Sequence, residues 1–169
     1  EPVVAGANIR RRGENARKGD VLLEPGMPLL GARIGICAAV GKALVTVRSL
    51  PEAAVISTGE ELKAPGDRAR PHEIRDANGP ALGAALELAG FAPVRRRVVG
   101  DNPRRLERAI RSALQGCDMV LLSGGVSVGR YDYVPEAIRS LRGRIRFHGV
   151  AMKPGKPLLY ATLGGKHIF

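Results

Sequence analysis

Short apolar runs recur along this chain at Ala53–Ser57, Val94–Val99, Asp118–Leu122 and Arg144–Val150, and segments with helical punctuation separate them. Runs of this length are too short for ordinary helices, and their Val, Ile and Leu content suits strands buried on both faces. The intervening segments supply the crossovers that parallel strands require. Asn78 or Gly79 can cap a helix over Pro80–Ala89, with Pro80 at its first position and Leu82, Leu86 and Ala89 on one face. Asn102 caps and Pro103 opens the next helix, which carries Leu106, Ile110, Ala113 and Leu114 on one side and stops at Gly116. Tyr133–Leu141 reads as a third helix, and Leu158–Ala161 and His167–Phe169 read as strands joined by a Gly164-Gly165 hairpin turn. The expected fold class is α/β, a three-layer, doubly wound, mostly parallel sheet.

Residues 1–50 have a different texture. The stretch RRGENARKGDVLLEPG places turn punctuation around a short apolar run, which predicts short strands and turns, and Gly31–Val40 predicts a short helix stopped by Gly41. We read 1–50 as a connecting segment from a preceding domain and 51–169 as the α/β domain. The chain starts at Glu1 without Met and stops at Phe169 within a strand, so it is expected to be a piece of a longer protein, truncated at the C-terminal end of that domain.

Composition narrows the function. Aromatic residues make up 4% with no Trp, which argues against a base-stacking platform. The net charge is +11, from 27 Lys+Arg and 16 Asp+Glu, and suits an anionic ligand or a polyanion. Only six of the basic residues are Lys, and the Arg are spread along the chain rather than gathered in one block, the pattern of solvated faces more than of a nucleic-acid patch. Cys37 and Cys117 lie among apolar residues without a CxxC pair, as buried free thiols would. His72, His148 and His167 are isolated, and no paired-His spacing exists. No apolar run approaches the roughly 20 residues of a membrane span, so no membrane contact and a cytoplasmic location are expected.

In a parallel sheet, ligands bind beyond the carboxyl ends of the strands. Those ends carry Thr58-Gly59-Glu60-Glu61 after the first strand and Asp101 after the second. After the third come Ser123-Gly124-Gly125-Val126-Ser127 and then Asp132, and after the fourth Lys153-Pro154-Gly155-Lys156. Glycines at 124 and 125 free backbone N–H groups to face an anion, and Ser127 adds a hydroxyl. Pro154 and Pro157 stiffen the loop that holds Lys153 and Lys156, and two ammonium groups held close together favour an anion between them. Carboxylates beside an oxyanion cradle call for a divalent ion of the Mg2+ type. Asp101 could instead cap the helix that follows, and Glu60 or Glu61 could simply face water.

Four ordered motifs, STGEEL (Ser57–Leu62), EIRDAN (Glu73–Asn78), SGGVSVGRYDY (Ser123–Tyr133) and VAMKPGKP (Val150–Pro157), resemble the molybdenum insertase family. The opening RRGENARKGDVLLEPG resembles the segment that precedes the same domain there. The resemblance implies insertion of molybdenum from molybdate into adenylated molybdopterin with Mg2+ and release of AMP. It implies Glu61, Asp101 and Asp132 as catalytic residues, with Glu61 and Asp132 as metal ligands. Thr58, Asp76, Ser123, Gly124, Gly125, Ser127, Lys153 and Lys156 are implied as substrate-binding, with Ser127 and the two lysines at molybdate. It further implies a homodimer in the complete protein and contact with a molybdopterin adenylyltransferase.

The chain departs from the family at Glu60 for Asp, at Arg75 for Tyr, and at Arg130 in a position that is often acidic. It ends before the PGNP motif expected downstream, and it lacks the family's β-rich and C-terminal domains. A non-catalytic scaffold on the same fold, an adenylyltransferase-like nucleotide transfer and a basic nucleic-acid-binding domain are the alternative readings. The last of these requires affinity that falls steeply with salt and does not depend on Lys153 or Asp132.

Overall fold

In a computed structural model the chain is described at residues 2–92, 94–125 and 133–169, and it divides into two compact units, Glu1–Arg48 and Ser49–Phe169. The first unit consists of turns and one helix, α1 (Gly31–Ala39), of which only Cys37 is buried. Gly41, with φ 77°, follows the helix end in the left-handed region, the stop its sequence position implied. The expected short strands do not form among the described residues. The Val21–Leu22 run stays exposed between the turns closed by Asp20 N to Arg17 O and Met27 N to Glu24 O, and it has no extended partner to pair with.

The second unit is built on a six-stranded sheet in the order β4-β1-β5-β8-β7-β6. Its strands are β1 (Ala53–Thr58), β4 (Val94–Val99), β5 (Met119–Ser123), β6 (Arg144–His148), β7 (Leu159–Leu163) and β8 (Lys166–Ile168). β4, β1, β5 and β8 run parallel, and only β7 is reversed, antiparallel to both β8 and β6. β7 and β8 are joined through Gly164 and Gly165, both at positive φ, the backbone that a tight hairpin demands. A separate two-residue parallel pair, β2 (Leu62–Lys63) with β3 (Ile74–Arg75), holds the loop after β1; no periodicity in the sequence signalled it.

Alternation along the strands sorts the core into two faces. Ala54, Ile56 and Val120 meet helices α3 (Pro103–Gly116) and α4 (Tyr133–Ser140) through Leu106, Ile110, Val134 and Ile138. On the opposite face Ala53 and Val55 pack with Leu86 of α2 (Asn78–Leu88). The result is the three-layer, mostly parallel α/β arrangement that the sequence implied. Farther along the α2 side, beyond the helix, Tyr160 of β7 stacks on Phe169 at 4.7 Å between ring centroids and lies 5.7 Å from Phe147. Its hydroxyl also meets Nδ1 of His167 at 2.9 Å.

Local signals explain most element ends. The Asn102 side chain accepts from Arg105 N at 3.0 Å and caps α3, as expected, with Pro103 at its first position. α2 begins at Asn78, earlier than Pro80, and neither Asn78 nor Gly79 caps it. Instead Asp76 Oδ1 accepts from Gly79 N at 2.9 Å, satisfying a free first-turn amide. Both edge strands are rich in arginine, with Arg95, Arg96 and Arg97 on β4 and Arg144 and Arg146 on β6, which discourages pairing with further strands. Cys37 and Cys117 are buried free thiols, and burial pushes the Cys117 thiol above its usual range. No helix among the described residues is long and apolar enough to cross a membrane.

Ile110 is fully enclosed at 0% exposure, whereas Leu88 is 91% exposed. Ile110→Ala is expected to lower unfolding stability by about 2–5 kcal/mol, and Leu88→Ala to change it by less than about 0.5 kcal/mol, as read by urea denaturation.

Candidate functional site at the carboxyl ends of the strands

The end of β1 is the hub of the site. Every residue of this strand is buried, so Ser57 and Thr58 are held rigidly between β4 and β5. Thr58 Oγ1 donates to Asp101 Oδ1 at 2.9 Å, joining the ends of β1 and β4. Asp101 is thus tied to β1, and the cap of α3 is Asn102. On the other side of Thr58 lies the turn after β5. Gly124 and Gly125 both have positive φ, at 96° and 66°. A Cβ at Gly124 would collide with the Thr58 carbonyl oxygen, and one at Gly125 would stand 3.4 Å from Thr58 Oγ1. Glycine is required here for close approach as well as for backbone conformation.

The start of α2 closes the third side. The Asn78 side-chain amide donates to Ser123 Oγ at 2.8 Å, tying the helix to the end of β5. Asp76 is 7% exposed and is spent on the helix cap. Ser57 Oγ is buried without a hydrogen-bond partner among the described residues. A Cβ on Gly79 would meet Asp76 Oδ2 and stand 3.0 Å from Ser57 Oγ, so a larger residue would disrupt this corner. Asn78 and Ser57 are site residues that the motif reading did not single out, although both lie inside motifs it quoted.

The two glutamates after β1 point to different places. A Cβ built at Gly59 would lie 2.8 Å from the Glu61 carboxylate oxygens, and one at Gly100 would lie 2.6 Å from Glu60 Oε1. Glu61 thus folds back on its own turn, and Glu60 is the one that reaches the β4 end beside Asp101. A cavity of about 450 Å³ opens there, with Gly59, Glu60, Lys63, Asp67, Gly100 and Arg105 among its lining. Its wall is braced by Lys63 Nζ, 3.3 Å from Glu73 Oε1. A backbone hydrogen bond from Arg70, aided by Lys63, holds the Glu73 carboxyl below its ordinary range.

The glycine turn, Thr58, Asp76, Asp101 and Ser123 are therefore brought together. Ser127 and Asp132 lie outside the described residues, as does Arg130. Lys153 and Lys156 follow β6, whose carboxyl end points the same way as that of β1. The axes of β6 and β1 are nevertheless four strand positions apart, about 19 Å at ordinary inter-strand spacing. Gly155, at φ 112°, turns that loop, and Val150 N bonds Lys156 O at 3.0 Å across it. No three His, Cys, Asp or Glu side chains converge as a metal cluster among the described residues. The oxygen donors of Glu60 and Asp101 do suit a hard divalent cation, which takes one or two carboxylates and completes its shell with water and phosphate oxygens.

Comparison with known proteins adds independent information. Residues 54–169 match the family model described as "Probable molybdopterin binding domain". A molybdopterin molybdenumtransferase of Staphylococcus epidermidis is 36% identical over 162 residues, covering 96% of this chain and 39% of that protein. One of Staphylococcus aureus is 34% identical over 169 residues, covering 100% of this chain and 40% of that protein. The chain thus spans about two fifths of the length of these relatives. Among solved structures, a molybdopterin biosynthesis moea protein from Pyrococcus horikosii superposes with a TM-score of 0.82 at 33% identity, covering 100% of this chain and 42% of that one.

Gly124→Ala sets a Cβ against the Thr58 carbonyl at a left-handed φ. It is expected to destabilise the fold by about 1–3 kcal/mol, and thermal unfolding followed by circular dichroism checks this.

Proposed function

The chain belongs to the probable molybdopterin-binding domain family, and from that premise we propose that it is the substrate-binding domain of a molybdopterin molybdenumtransferase, inserting molybdenum from molybdate into adenylated molybdopterin with release of AMP. The observation that carries this reading is the Thr58 to Asp101 hydrogen bond with the glycine turn packed on the same threonine. A carboxylate and the backbone of a glycine turn are thereby fixed on one rigid strand end, as preorganised handling of a phosphoanhydride requires.

In this reading, the amides of the Ser123–Gly125 turn face the phosphates of the substrate. Asp101, whose Oδ1 is held by Thr58, directs its other oxygen to water or cation at the anhydride. Mg2+ would be held by Asp132 with Glu61 or Glu60 together with phosphate oxygens, and when bound it neutralises charge at the anhydride that is broken. Lys153 and Lys156 bind molybdate, joined by the Ser127 hydroxyl, because paired ammonium groups and a hydroxyl match a small dianion. The distance between the β1 hub and the β6 loop supports an elongated ligand, with its nucleotide at one end of the sheet edge and its dithiolene toward the other. A homodimer and contact with a molybdopterin adenylyltransferase belong to the complete protein in this proposal, as does a cytoplasmic location.

Calorimetric titration of the chain with adenylated molybdopterin and Mg2+ is expected to give saturable binding that Asp132→Ala abolishes and nonspecific RNA does not displace. In the complete enzyme, Lys153→Ala with Lys156→Ala is expected to weaken molybdate binding about tenfold or more, the scale of lost charged hydrogen bonds, while adenylated pterin still binds. Unchanged molybdate affinity would sink the assignment of the lysines.

A further inference from the structure

Along edge strand β4 the side chains of Arg95 and Arg97 share the sheet face that α3 covers, since their partners in register on β1 are Ala54 and Ile56. Arg95 is neutralised by Glu52 Oε2 at 3.0 Å. Arg97 takes part in no ion pair among the described residues, and neither do Arg105 and Arg108 of α3. These three arginines, with Ser112, line a cavity of about 410 Å³ between β4 and α3. Residues 105, 108 and 112 follow at helical spacing, so one face of α3 looks onto the cavity. Ala109, 4% exposed, is small enough to leave the space open between them. No Asp or Glu lines the cavity.

Three arginines lining one space, with no carboxylate among its lining, repel one another unless an anion lies between them. Arg108 is already held by the bond from its Nε to the Arg104 carbonyl at 3.3 Å, which fixes the base of its fork. Guanidinium forks match phosphate oxygens two at a time, and the Ser112 hydroxyl adds a further donor. The space is of small-ligand size, and no aromatic ring lines it for a base to stack on.

We propose that the cleft between β4 and α3 is a second anion site, in which Arg97, Arg105, Arg108 and Ser112 bind a di- or triphosphate group of a small molecule. It is separate from the β1 hub and meets it through Val98, Gly100 and Arg105, which line both this cavity and the one beside Glu60. Occupancy here would set the charge next to Asp101 without using the glycine turn.

The test is calorimetric titration of the chain with inorganic pyrophosphate, with ADP and with orthophosphate, using Arg97→Gln with Arg108→Gln as the variant. Arg111→Gln is the control, because Arg111 pairs with Glu107 at 2.8 Å on the same helix and does not line the cavity. Pyrophosphate is expected to bind saturably and more tightly than orthophosphate, and the double variant to weaken it about tenfold or more, with the control within twofold of the parent. All three substituted positions are exposed, so melting temperature is expected to stay constant across the variants. Equal affinity for ADP and pyrophosphate identifies the phosphate chain as the recognised group, and tighter ADP identifies a nucleotide source; either supports the site. Affinity unchanged in the double variant, or no saturation by pyrophosphate, overturns it. A duplex DNA that displaces pyrophosphate and binds the double variant equally well also overturns it, in favour of diffuse polyanion attraction.

Discussion

Burial of β1 on both faces is the constraint from which the site follows. A strand paired on both edges and covered by α2 on one side and by α3 and α4 on the other has no freedom to shift its register, because a slip of one residue would exchange its two apolar faces. The last two residues of that strand, Ser57 and Thr58, are polar and buried at 1% and 7% exposure. Their hydroxyls enter the sheet edge at positions fixed by the core, and the groups around them are built on that fixed point. Asp101 hydrogen-bonds to Thr58 from one neighbour strand, and the glycine turn presses on Thr58 from the other. Stability and site geometry are therefore coupled at Thr58.

The sequence made the second unit readable because each of its local signals agrees with the others. The AAVIS run, the Asn102-Pro103 start of α3 and the Gly164-Gly165 turn each report a short-range preference that packing reinforces. The beginning of α2 was less legible, because Asp76 caps from outside the window in which Pro80 suggested a start. Strand order was not legible at all. β8 enters between β5 and β7, held by Met119 opposite His167 and Val120 opposite Ile168, and apolar periodicity carries no information on such long-range pairing. In the first unit the apolar run at Val21 implied a strand, yet an extended segment becomes a strand only where a partner exists.

Within the candidate site, motif reading pointed to loops but not to the links between their side chains. STGEEL drew attention to Glu61, whereas the carboxylate beside the β4 end belongs to Glu60; adjacent residues with the same chemistry cannot be separated until the turn is folded. The Asn78 to Ser123 bond joins residues 45 positions apart, a contact that two separate motifs do not reveal. The four strand ends do lie on one edge, but β6, which leads into the lysine loop, is separated from β1 by β5, β8 and β7. Linear order put KPGKP next after the glycine loop, and the insertion of β8 and β7 separates the strands from which the two loops depart.

Charge along this edge alternates, and the alternation restricts what can bind. The chain carries +11 overall, yet the centre of the edge holds Glu60, Asp76 and Asp101, with arginines beyond β4 on one side and lysines beyond β6 on the other. A phosphate approaching the centre meets carboxylates at short range, where repulsion in a partly buried setting outweighs the diffuse attraction of distant arginines, since the latter is screened within about 8–10 Å at ordinary ionic strength. The amides of the glycine turn offset part of that repulsion, and a divalent cation between carboxylate and phosphate would reverse the rest. The flanking basic groups have no such conflict and can bind oxyanions directly. In the proposed function, an elongated ligand with a phosphoanhydride in the middle and an oxyanion at one end matches this sequence of charges better than a uniform polyanion does.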